Sequence, residues 1–178
     1  MPQAYNHIKW CLNKAKKEIE ECKKLGKNPK HRGLLKITPD INKARSHIKK
    51  AEHNLNAIRR FKEIGFSDWS IAAGFYSIYH CFLAIAAKFG YESRNQTCTI
   101  ALMDWLKEEG KINIDERFVD MLRYEDIGEA QESSVIDMRE EYTYGAEISF
   151  ENETEIKELI ETCREMIDIA KRIVFEQL

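Results

Sequence analysis

Residues 69–87, WSIAAGFYSIYHCFLAIAA, run for nineteen positions without a formal charge in a chain of 178 residues of which 33% are charged. Apolar side chains fall at Ile71, Phe75, Ile78, Phe82, Ile85 and Phe89 in alternating steps of four and three, the repeat of one helix face. Ala72, Tyr76, Tyr79, Leu83 and Ala86 fill a neighbouring stripe, so the helix is apolar over two faces and belongs at the centre of a bundle. The remaining flank is small. Ala73, Ser77, Cys81 and Ala84 would let another helix approach closely, and Tyr76, Tyr79 and His80 would then need hydrogen-bond partners. About twenty apolar residues can also span a bilayer. Here Ser70, Tyr76, Ser77, Tyr79 and His80 interrupt the run, no basic cluster follows it, and amphipathic segments on both sides need something to cover. The expectation is a buried core helix and no membrane partner.

The flanking sequence is punctuated like a helical protein, with only three prolines and eight glycines. A first helix is expected over residues 3–25, with Ile8, Leu12, Ala15, Ile19 and Cys22 on one face and Gly26 after it. Residues 27–38, KNPKHRGLLKIT, form a basic connector of a length at which loops tend to carry a function or move. Asp40 can cap a second helix whose buried face is Ala44, Ile48, Ala51, Leu55, Ile58 and Phe61, ending at Gly65. Asn95 or Thr97 can cap a fourth helix carrying Ile100, Met103 and Leu106, and a fifth forms around Phe118, Met121 and Leu122. Residues 127–144 are expected as a helix broken near Gly128, with AEISF briefly extended, and Asn152 with Glu155 forms a capping box for a last amphipathic helix. The pattern predicts an all-α, antiparallel up-down bundle of five to six helices. Residues 1–39 make a basic N-terminal helix and connector, and residues 40–178 the bundle domain.

Cys11, Cys22, Cys81, Cys98 and Cys163 are odd in number and form no close pair, so buried, reduced packing residues are expected rather than a disulfide framework. A zinc centre could only be gathered from His7, Cys11, Cys22 and His31 by folding the connector back, and the tight paired spacings of structural zinc sites are absent. Neither metal nor cofactor is expected. No basic-then-apolar leader opens the chain, which points to the cytoplasm.

The segment GFYSIYHCFLAIAAKFGY resembles the helix found in HEPN domains, with Phe75, Tyr76, Ser77, Tyr79, His80, Gly90 and Tyr91 fitting the pattern in order. Arg139, Tyr144 and Gly145 resemble the family's closing motif, with Thr143 where an Asp is usual. The resemblance starts near Ala44 and continues to the C-terminus, and residues 1–40 are similar to an extension of some archaeal members. It implies a helical bundle, dimerisation and a nucleotidyltransferase-like partner. Many members are metal-independent ribonucleases using an Arg followed, after four to six intervening residues, by a His, which supply a phosphorane-stabilising cation and a proton acceptor. This chain lacks that spacing: Arg94 and Asn95 are followed by Gln96, Thr97 and Cys98, and Arg45 to His53 has seven residues between.

Residues 1–63 hold 17 Lys and Arg against 6 Asp and Glu, and residues 64–178 hold 11 against 24. Such a division fits a basic face for phosphates, and equally basic helices packed on acidic ones. The expectation is a non-catalytic HEPN-type homodimer contacting nucleic acid or nucleotide phosphates, with dimerisation through the central helix or its small-residue flank. A metal-independent ribonuclease with a non-standard site and a purely structural dimerisation module are the alternatives. His80, Tyr76, Arg94, Asn95, Arg139 and Tyr144 are the candidate ligand-binding residues, and Lys27, Lys30, His31 and Arg32 the candidate polyanion-binding residues.

Overall fold

The computed structural model describes residues 3–123, 135–146, 149 and 152–176. Its elements are α1 (Gln3–Lys24), β1 (Leu34–Lys36), α2 (Ile41–Glu63), α3 (Asp68–Lys88), β2 (Tyr91–Ser93), α4 (Gln96–Glu108), α5 (Glu116–Asp120), α6 (Val135–Tyr144) and α7 (Glu153–Phe175). The fold is all-α, with one pair of three-residue strands among the described residues. The expected break at Gly128 lies outside the described residues, as does most of AEISF.

Helix α3 is the axis of the bundle, and α2, α4, α6 and α7 all pack on it. It is long and apolar enough to cross a membrane by length and composition, and most of its apolar window is buried inside the protein. Phe75, Phe82, Ile71, Ile78 and Ile85 are all but fully buried, each contributing about 1.5–3 kcal/mol of hydrophobic stabilisation. The small-residue flank is covered by the chain's own helices. Ser70 Oγ donates to the carbonyl of Ile58 at 2.9 Å and Ser77 Oγ to that of Ala51 at 3.0 Å, tying α3 to α2 in antiparallel register. On the α7 side, a Cβ on Gly74 would lie 2.6 Å from Leu159 Cδ2, and Cys163 Sγ approaches the Gly74 carbonyl at 3.6 Å. Ala73, Ser77, Cys81 and Ala84 are therefore intrachain contacts, not the dimer face expected from their size.

The helix starts follow the capping residues. Asp40 accepts from Lys43 N, Asn95 from Cys98 N, and Asn152 from the backbone of Thr154 and Glu155. Asn152 Nδ2 also bonds the Glu155 carboxylate, so the Asn152 half of the expected box is present, while Glu155 meets the Asn152 side chain rather than its backbone N–H.

The N-terminal segment is built into the bundle through α4 and β2. Ile8, Cys11 and Ala15 of α1 are buried, and Leu34 of β1 is fully buried. β1 pairs antiparallel with β2 in the register Leu34↔Ser93, Leu35↔Glu92, Lys36↔Tyr91. Gly33 admits no side chain, because a Cβ would sit 2.6 Å from the Cys11 carbonyl oxygen and 2.9 Å from Ala15 N. Gly90 turns the chain from α3 into β2 at φ +79°, with Ile37 N donating to its carbonyl at 2.8 Å.

One expectation about cysteines is overturned. Cys11 and Cys98 form a disulfide across a sequence separation of 87, because α1 lies along α4 and buries both sulfurs there. Cys22, Cys81 and Cys163 are free. The conceivable metal set loses Cys11 to this bond, and His31 faces Glu92.

Candidate functional site

His80 projects from α3 onto α2, where its Nδ1 lies 3.0 Å from Nδ1 of His47. The ring centroids are 5.2 Å apart and the planes 28° from parallel. Each ring nitrogen lies about 1.2 Å from its ring centre, so this centroid separation places the two Nδ1 atoms nearly in line between the rings. That is the geometry of one N–H···N hydrogen bond, with the proton on one Nδ1 and the lone pair of the other facing it. One imidazole donates through Nδ1 and carries a basic Nε2, while the other accepts and carries an Nε2–H. Burial, with His47 and Lys50 adding to it, lowers His80 to about 4. Burial and Lys43 also lower His47, against an upward pull from Glu92. Both rings are neutral at pH 7.

Beyond this pair a cleft of about 180 Å³ opens between α2, the end of α3 and β2, lined by Lys43, His47, Leu83, Ala87, Tyr91, Glu92, Ser93 and Arg94. Glu92 organises its charge. In β2 the residues flanking it, Tyr91 and Ser93, are buried, which leaves Glu92 on the outer side of the strand. Its carboxylate accepts from Lys43 Nζ at 2.7 Å and Arg94 Nε at 3.0 Å, and meets His31 Nε2 at 3.4 Å. The Lys43 hydrogen bond, more than any other influence, holds the Glu92 carboxyl at about 2. Behind the strand, Thr99 bonds Ser93 Oγ at 2.8 Å and the Asn95 carbonyl at 2.9 Å, and meets Tyr79 OH at 3.3 Å.

One stripe of α3 is left incompletely covered. Trp69 and Tyr76 are exposed and Ala72, Tyr79, His80 and Leu83 partly so, at helical spacing, and the stripe ends in the cleft because Leu83 lines it. A larger hollow of about 370 Å³ near the start of α1 is lined by His7, Asp104, Glu116 and Arg123 among others. Its charges neutralise one another: Arg123 reaches Asp104 at 3.0 Å and Glu116 at 3.2 Å, and Lys107 bonds Glu116.

The sequence model of the HEPN domain matches residues 44–173. The chain belongs to the HEPN domain family. No curated protein matches it. Membership supports a HEPN-type function, of a kind that is often nucleotide-related or ribonucleolytic, in domains that commonly dimerise. In this HEPN domain the positions four to six intervening residues beyond Arg94 hold Thr99, Ile100 and Ala101, all buried, so none can replace the missing His.

The expected site residues divide into three places. Arg94 lines the cleft, His80 meets it only through His47, and the neighbouring Asn95 is spent on capping α4. Arg139 lies nearer the middle of α3, its guanidinium 4.5 Å from the Phe75 ring centroid and paired with Glu140 at 3.2 Å. Phe75 precedes Leu83 by eight residues, about 12 Å along a helix, and among the described residues no contact joins Arg139 to Arg94. Tyr76 packs edge-on against Phe75, and Tyr144 is exposed. Lys27, Lys30 and Arg32 are on the surface, but His31 is buried against Glu92 and is no part of an exposed polyanion cluster.

Lys43, His47 and Glu92 were not singled out by sequence reasoning. A signal existed for His47: counted outward from the turn at Gly65, it lies eighteen residues back and His80 fifteen forward, near enough to meet across an antiparallel hairpin.

Proposed function

We propose that the protein is a non-catalytic HEPN module that dimerises through the uncovered stripe of α3 and contacts nucleic acid or nucleotide phosphates at the Lys43 and Arg94 cleft, beside a nucleotidyltransferase-like partner in the cytoplasm. One observation carries this reading: the stripe from Trp69 to Leu83 runs directly into a cleft lined by two cations. A second copy seated on the stripe buries the aromatics and closes over the cleft. Sedimentation of the full chain at micromolar concentration is expected to show a dimer that Trp69→Ser with Tyr76→Ser converts to monomer. Titration with pyrophosphate or short RNA at low ionic strength is expected to show binding that Arg94→Gln weakens about tenfold. A monomeric wild type, or binding indifferent to Arg94→Gln, overturns it.

The proton-sharing imidazoles favour one rival. A neutral pair offering one Nε2 acceptor and one Nε2–H donor is equipped for general acid and base work without a metal. RNA cleavage that both His47→Gln and His80→Gln abolish would replace the non-catalytic reading with that one. No such cleavage is expected.

A further inference from the structure

Three side chains from three elements converge on a single carboxylate at the cleft wall: Lys43 of α2, Arg94 at the end of β2 and His31 of the segment before β1. This arrangement has the form of an occupied oxyanion site. A carboxylate presents two oxygens with the same acceptor chemistry as a phosphate edge, and the donors here engage both: Lys43 takes Oε2, Arg94 and His31 take Oε1. The occupant is part of the chain. Its strand is aligned by β1, whose Leu35 is the register partner of Glu92. Two features show that the site is not saturated. Lys43 and Arg94 bring two positive charges against one carboxylate. The Arg94 side chain is bound through Nε, and among the described residues no hydrogen bond engages its terminal nitrogens, although the side chain is 56% exposed and lines the cleft.

We propose that Glu92 is a built-in competitor, its carboxylate filling the oxyanion position of the Lys43 and Arg94 cleft, so that a polyphosphate binds by displacing it. This rests on the reading of the cleft as a phosphate site and adds its regulation: the affinity of the cleft is set by how firmly the N-terminal segment holds Glu92. A monoanion gains little by the exchange. A di- or pyrophosphate group, which can use the free terminal nitrogens of Arg94 as well as the vacated Lys43, gains more.

The test is calorimetric titration of the full chain with inorganic pyrophosphate at low ionic strength, comparing wild type, Glu92→Gln, Arg94→Gln and the double variant. Glu92→Gln keeps the side-chain length and removes the charge, and it is expected to bind about tenfold more tightly than wild type. The double variant is expected to lose that gain. Should Glu92→Gln fail to fold by circular dichroism, Glu92→Asp keeps the charge and draws the carboxylate back by one methylene, and is expected to tighten binding in the same direction. Tightening that survives in the double variant places the binding elsewhere and overturns the proposal. Glu92→Gln, or Glu92→Asp in its place, no tighter than wild type, with Arg94→Gln still weakening it, overturns the competitor and leaves the phosphate cleft standing. No binding by any variant overturns both.

Discussion

Removing the Cys11–Cys98 bond isolates what this covalent link between α1 and α4 contributes to stability, and refolding the wild type under a strong reductant does so with no change of sequence. The bond closes a sequence separation of 87. Chain entropy assigns a loop of that length about 4.6 kcal/mol at 25 °C. Residual structure in the unfolded ensemble, where α2 and α3 lie within the loop, reduces the figure to about 2–4 kcal/mol. With a urea dependence of about 2 kcal/mol per M, the unfolding midpoint of the reduced protein is expected about 1–2 M below that of the oxidised one. Thiol titration in denaturant without reductant is expected to find three reactive groups, Cys22, Cys81 and Cys163. Five thiols, or unfolding curves that coincide, would refute the reasoning.

Stability is also expected to fall on acidification through the His47 and His80 pair. The folded pKa of His80, about 4, lies below its ordinary 6.5, so its contribution is complete above pH 6.5 and is lost as pH falls towards 4. The shift corresponds to about 3 kcal/mol at most, and about 2 kcal/mol after allowing for solvent around a partly exposed ring. Urea unfolding at pH 7 and pH 4.5 should show a smaller difference in His80→Gln than in wild type, and equal differences would be fatal to the idea. Gly33→Ala forces a methyl group against the backbone of Cys11 and Ala15 and is expected to cost about 2–3 kcal/mol, lowering the melting temperature by about 5 °C or more; an unchanged melt contradicts the close approach. Charge reversal at the exposed Lys30 and Arg32 is expected to weaken RNA binding and flatten its salt dependence without altering helicity, and binding that ignores both changes assigns the connector no role.

The local rules were legible wherever the deciding contact was near in sequence. Asp40, Asn95 and Asn152 each cap the helix they precede, and the two-faced apolar pattern of residues 69–87 was enough to place α3 at the centre. Contacts decided by packing were not. Small residues at Ala73, Ser77, Cys81 and Ala84 announce that a helix comes close, but a pattern on one helix does not say whether the visitor is α2, α7 or a second copy. The Cys11–Cys98 pairing is invisible to sequence spacing, because it is made where α1 and α4 meet through tertiary packing. The strand pair escaped for the same reason: three residues of LLK carry no period, and their partners lie beyond a whole helical hairpin. At the site, His80 stands out as a polar residue on an apolar helix and Arg94 through the family resemblance, whereas Lys43 and Glu92 are ordinary charges until the fold sets them 2.7 Å apart.

The two serine bonds between α3 and α2 act as index marks. Moving from Ser70 to Ser77 advances seven residues along α3 while the accepting carbonyls, Ile58 and Ala51, retreat seven along α2. One further step of the same size reaches Ala84 and Ala44, both fully buried, and His80 and His47 fall between the last two marks. The hairpin is thus graduated like a pair of facing rulers, and sliding one helix by a single turn, about 5.4 Å, would misalign every mark together. Residues can be added at the Gly65 turn without disturbing the scale, because the turn lies outside it. A deletion inside either helix between the marks cannot be absorbed, since it rotates everything beyond it by about 100° and carries the imidazoles out of each other's reach.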